Sequence, residues 1–256
     1  MLTSSSPRGT APPAVRSRRR DQAPWPIAFY GSAIGKKAVM AVTGIIVLGF
    51  VLIHMIGNLK LYLGEDEFGV KHIDTYGEWL RTVGEPAIPE NGVLWIFRVV
   101  LILSFLLHIH AATTLTLLNR KARPVKYQGG RKYTAADYAA RTMRWSGVIV
   151  GLYLVFHLMD LTWGTSGVAS DSFEKGAVYS NLVESFSRWP VAGVYIVANV
   201  LLGIHIYHGA WSLFQSLGLN ARRFNPWRRW FAIAFAAVIV IGNVSFPVAV
   251  LAGIVE

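Results

Sequence analysis

Residues 36–62, KKAVMAVTGIIVLGFVLIHMIGNLKLY, decide the fold. Between the paired bases Lys36 and Lys37 and the next base, Lys60, the 22 residues 38–59 carry no charge apart from the titratable His54. At about 1.5 Å per residue such a run crosses a ~30 Å hydrocarbon core as a helix, the form that satisfies its own backbone inside lipid. Working outward, four more apolar runs follow at 99–119, 145–159, 189–221 and 230–255. The third reaches spanning length by carrying Asp160 near one end. The expected fold is therefore an all-α membrane protein with five transmembrane helices.

Composition agrees. Of 256 residues, 53% are hydrophobic and 15% charged, and the mean hydropathy is +0.41, unlike an ordinary water-soluble domain. With no cysteine, the chain has no disulfide, no catalytic thiol and no thiolate-ligated metal of its own. The excess of 25 bases over 14 acids does not indicate nucleic acid, because the charges lie between the apolar runs. It indicates topology. Seven bases precede the first run, eight lie in 120–144 and four in 222–229, which places nineteen on one side and six on the other. By the positive-inside rule the N-terminus is cytoplasmic and the C-terminus outside, in a cell membrane. Residues 1–32 read as a basic cytoplasmic arm and 33–256 as the membrane domain. The two outer connections, roughly 60–92 and 165–188, are long enough for short interfacial helices or a lid over an outward-facing site. No repeat at a fixed period is evident, and no phosphate-binding loop or nucleophile elbow.

The chemistry lies in the histidines at 54, 72, 108, 110, 157, 205 and 208, six of which fall inside spans. An imidazole in lipid is costly unless it faces the bundle interior with a partner. Each of the first four spans carries at least one, and the fifth carries none. His54 lies 17 residues beyond Lys37 and His157 13 beyond Arg144, roughly 25 and 20 Å by helical rise, which places both in the outer half. In the oppositely directed spans His108 and His205 precede Asn119 and Asn220 by 11 and 15 residues and sit further inward. Two imidazoles at one height on facing helices suit the two axial positions of a haem iron in a four-helix bundle, whereas zinc wants three or four ligands at one level. The expectation is two bis-His haem b groups, one per tier. His110, about 200° round the helix from His108, reads as structural. His208 shares a face with His205, near a porphyrin edge, or takes its place as ligand. His72 reads as a solvated loop residue. Asp160, one turn from His157, is either a proton relay at a quinone site or the partner of a base such as Lys60; Lys60 and Tyr62 are weaker quinone-site candidates.

Four segments, GKKAVMAVTGIIVLGFVLIHMIGNLKLY, LLHIHAATTLTLLNRKARPVKY, MRWSGVIVGLYLVFHLMDLT and GIHIYHGAWSLFQSLGLN, in this order and with these charges between them, carry a family likeness over about residues 33–253. The sequence resembles the cytochrome b membrane-anchor subunit of succinate dehydrogenase and fumarate reductase, in its single-chain, five-helix, dihaem form. The resemblance implies ligands His108 and His205 for the inward haem and His54 and His157 for the outer one, with His205 favoured over His208 because it lies four residues before Gly209. It also implies the partners: a flavoprotein and an iron–sulfur subunit on the cytoplasmic face, the lipid bilayer, and an oligomer of the whole complex. Electrons from succinate would pass through both haems to menaquinone or ubiquinone, in the tricarboxylic acid cycle and respiratory chain. The basic residues Arg120, Lys121, Arg123, Lys126, Arg131 and Lys132 would dock the soluble subunits or simply retain the loop inside. Some relatives carry a membrane Glu two residues before the fourth-span ligand, where this chain has Gly203. The alternatives are a dihaem subunit of another respiratory oxidoreductase and a haem-free structural anchor.

Overall fold

The computed structural model describes residues 24–122, 135–219 and 221–256. Most of the basic arm, and Arg123, Lys126, Arg131 and Lys132, lie outside them. Among the described residues there are eight α-helices and no strand: α1 (Trp25–Gly31), α2 (Ala33–Asn58), α3 (His72–Thr82), α4 (Gly92–Lys121), α5 (Ala135–Leu161), α6 (Val178–Ser187), α7 (Trp189–Ser216) and α8 (Asn225–Leu251). Stretches of α2, α4, α5, α7 and α8 are long and apolar enough to cross a membrane, as the five runs predict.

The helices extend beyond the uncharged runs because long basic side chains can lie along a helix end while their charge reaches polar surroundings. Thus α2 begins at Ala33 and contains the exposed Lys37, and α4 begins at Gly92 and contains the exposed Arg98, which lies over the Trp95 ring at 5.0 Å. Within the expected 1–32 arm, residues Trp25–Gly31 form α1. Pro sits at its first turn, where no backbone donor is lost. Ser32 then starts α2 by accepting from the Gly35 amide at 2.9 Å. At this corner a Cβ on Gly35 would stand 2.0 Å from the Phe29 carbonyl oxygen, so only glycine fits.

Small residues set the tightest seam. Ala192, Ala198, Gly203 and Ala210 of α7 are buried, as are Ala232, Ala236 and Ile239 of α8, and small side chains let spans approach closely. Gly203 faces α8: a Cβ there would lie 2.1 Å from Val240 Cγ2. Position 203 is therefore turned into a helix seam.

The two long connections expected outside fold as the short helices α3 and α6. Asp74 Oδ1 accepts from the Tyr179 amide at 2.9 Å, and Tyr179 donates to the backbone carbonyl of Glu256 at 2.7 Å. Ile73, Leu182, Phe186, Tyr195 and Phe246 bury a common apolar core beneath them. This cap closes the end of the bundle at which α2 and α5 finish.

Candidate functional site: two tiers of imidazoles

The four spans that carry histidine form two packed pairs, α2 with α4 and α5 with α7, and α2 also touches α7. Among the described residues neither α2 nor α4 forms a packed seam with α5. Across that divide the His54 and His157 rings approach to 6.0 Å between centres, nearly perpendicular at 84°.

Each inner imidazole is held by a hydroxyl on the preceding span. Thr43 Oγ1 of α2 donates to the Val39 carbonyl at 2.7 Å and lies 3.2 Å from His108 Nδ1. Ser146 Oγ of α5 donates to the Met143 carbonyl at 3.1 Å and lies 3.2 Å from His205 Nδ1. Because each hydroxyl proton is committed to a carbonyl, each oxygen accepts from the Nδ1–H of its histidine. The following glycine makes room: a Cβ on Gly44 would stand 3.7 Å from His108 Cε1, and one on Gly147 3.4 Å from His205 Cε1. His108 and His205 lie within electrostatic reach of one another.

The same device governs His157. Asp160, 1% exposed at the end of α5, accepts from Arg188 Nη2 at 2.8 Å, from Tyr195 Oη at 2.9 Å and from Ser185 Oγ. With its proton on Asp160, the Tyr195 oxygen accepts from His157 Nδ1 at 3.3 Å. His54 stacks on Phe50 at 5.3 Å, and its Nε2 accepts from the Asn58 amide at 3.3 Å. Assigned from these partners, all four imidazoles carry the proton on Nδ1 and the lone pair on Nε2, the arrangement that a metal-ligating histidine adopts.

In the tier of His54 and His157 the residues fit a metal that would be held between the two imidazoles. Two metal–imidazole bonds of about 2 Å, plus about 1.1 Å from nitrogen to ring centre on each side, span about 6 Å, the separation seen in the outer tier. A ligand there would displace only the Asn58 contact. Among the described residues no three His, Asp or Glu side chains converge on one point.

A symmetry accompanies the tiers. Thr43-Gly44 precedes His54 by eleven and ten residues, and Ser146-Gly147 precedes His157 by the same spacing. At helical rise the hydroxyl that steadies an inner imidazole thus sits about 16 Å from the outer imidazole on its own span. Spans one and two repeat as spans three and four.

The remaining candidates separate. His208 lies beside His205 and packs its ring on Tyr207 at 5.0 Å, half-buried. His110 turns to α1 and bonds Tyr30 at 2.5 Å. The basic partner of Asp160 is Arg188 in place of Lys60. His72 heads α3 and, with Lys60, Thr75, Tyr76 and Trp79, lines a groove of about 390 Å³ at the outer end. Tyr62 is elsewhere, bonded to Ser245 of α8 at 2.8 Å. Sequence reasoning missed Thr43, Ser146, Tyr195 and Arg188. The first two were signalled by the recurring Ser/Thr-Gly-x9-His spacing. No protein-family model, curated protein or solved structure matches this chain.

Proposed function

We propose that this chain is the dihaem cytochrome b anchor of a succinate:quinone oxidoreductase, placed in the cell membrane with its N-terminus in the cytoplasm. The observation that carries the reading is the pair of two-histidine tiers, each built from two spans, with every Nε2 lone pair left free of a proton. His108 and His205 hold the inner haem b, and His54 and His157 the outer one. When bound, the haems supply one-electron transfer between the two faces. Thr43, Ser146 and Tyr195 fix the imidazole tautomers, a support that typically matters tenfold or more for ligand affinity. Arg188 compensates the buried Asp160 carboxylate, and Asp160 reaches His157 through Tyr195, the place where a proton relay beside the outer haem would start. The groove under Lys60 and His72 offers a cationic rim and the stacked rings of Tyr76 and Trp79, 5.7 Å apart, to a menaquinone or ubiquinone head. The flavoprotein and iron–sulfur subunits dock at the opposite, base-rich end.

The test is succinate-to-quinone activity of the whole complex with His54→Ala, His108→Ala, His157→Ala and His205→Ala, alongside succinate oxidation with a soluble dye. Each variant should lose quinone reduction and keep the dye reaction. Full quinone reduction by all four variants would refute the assignment.

A further inference from the structure

At the base-rich end, on the flank of α4, a groove of about 330 Å³ is lined by Gly31, Lys36, Thr114, Leu117, Leu118 and Lys121. Two of the six are ammonium groups and none is acidic. Lys36 is unusual for a lysine, being only 7% exposed, yet among the described residues no carboxylate pairs with it. Its Nζ lies over the face of the Tyr30 ring, 4.3 Å from the centroid. That ring is itself fixed by the bond from Tyr30 to His110. A cation so enclosed normally has an anion beside it, because desolvation without a counter-charge is costly.

On α4, Thr114, Leu117 and Lys121 lie between about 120° and 180° around the helix from His108 and Leu118 at about 80°, so this wall of the groove is turned away from that imidazole. The groove opens instead along the outside of the bundle, where Leu117 is 56% exposed and Leu118 38%. An enclosed Lys36, an exposed Lys121 and an aliphatic wall running along the span match a phosphate head followed by a hydrocarbon tail.

We infer that this groove binds an anionic phospholipid, with Lys36 and Lys121 on the phosphate and Leu117 and Leu118 against an acyl chain. Its occupant is a component of the bilayer, independent of any electron-transfer role.

The full chain, reconstituted into nanodiscs of phosphatidylcholine with a minor fraction of phosphatidylglycerol and re-extracted in neutral detergent, is examined by native mass spectrometry. One phosphatidylglycerol should be retained per chain. Lys36→Gln and Lys121→Gln should each reduce retention about fivefold, in keeping with the contribution of one lysine at an anionic surface. Lys36→Arg should retain the lipid, as should Lys37→Gln, one residue further round α2. Because Lys121 is exposed, its variant reports on the site even if Lys36→Gln folds poorly. Equal retention by wild type and Lys121→Gln would overturn the inference, as would an equal loss in Lys37→Gln. Complete displacement by inorganic phosphate would overturn it in favour of a soluble-anion site. Unchanged lipid with loss of a co-purifying soluble subunit would make the groove a protein-docking surface instead.

Discussion

Replacing Tyr195 by Phe removes one oxygen and leaves the ring. Tyr195 is 3% exposed and packed edge-on against Phe186 at 4.8 Å, Tyr153 at 5.5 Å and Phe156 at 5.8 Å, contacts that Phe reproduces. What disappears is the bridge from Asp160 to His157. Asp160 keeps Arg188 and Ser185, so the carboxylate is not abandoned, but a donor to a charged acceptor is lost and the His157 Nδ1–H is left without its partner. A hydrogen bond to a charged group contributes about 1.5–3 kcal/mol, so a loss near 2 kcal/mol is expected. For a chain of this size that lowers the unfolding midpoint by roughly 4–8 °C. Thermal unfolding in nanodiscs, followed by tryptophan fluorescence, measures it. On the proposed function, the same variant weakens one haem site by about ten- to a hundredfold and leaves the other intact, visible as loss of half the haem absorbance. The reasoning fails if stability and haem content both match wild type, or if the two haems decline together.

Arg188→Ala should cost more, about 3–5 kcal/mol, because it leaves the buried Asp160 with two hydroxyl donors and no counter-charge, and expression of folded protein is the readout. Arg188 is one-third exposed, so the lower end of that range is expected and a neutral outcome would contradict the pairing. Gly35→Ala should detach α1 from α2, since the new methyl meets backbone that has no rotamer to change, and accelerated proteolysis after residue 30 would report it. In the outer loop, the Val70 and Phe68 amides and the Thr75 hydroxyl all donate to Asp66, holding its carboxyl below its ordinary range. A group with a depressed folded value stabilises above its unfolded value and loses that contribution as pH falls through the folded one. The 66–75 loop should therefore loosen on acidification below the usual carboxylate range and not at neutral pH, as NMR of the Val70 and Phe68 amides would show.

The five spans were legible because a lipid-crossing helix leaves a signal in composition alone, and the histidine depths followed from helical rise. The ends were not, since Lys36, Lys37 and Arg98 stand inside helices whose termini reach polar surroundings. The partner of Asp160 was hidden for a different reason. Arg188 lies 28 residues away at the end of an outer connection, and only the folding of α6 over the bundle brings it back. The internal repeat escaped a fixed-period search because the two halves differ in loop length: Thr43 to Ser146 and His54 to His157 are both 103 residues, whereas His108 to His205 is 97. Orienting hydroxyls carry no hydropathy signature at all, so Thr43 and Ser146 become visible only beside the imidazoles they hold.

The central claim is that each tier of imidazoles carries one iron porphyrin. Haem per chain in the freshly purified, folded complex, with the reduced-minus-oxidised visible spectrum, tests it most directly. The account predicts two b-type haems per chain with sharp reduced bands, falling to one in His157→Ala and to one, with a different spectrum, in His205→Ala. A folded wild-type complex without haem absorbance would contradict it.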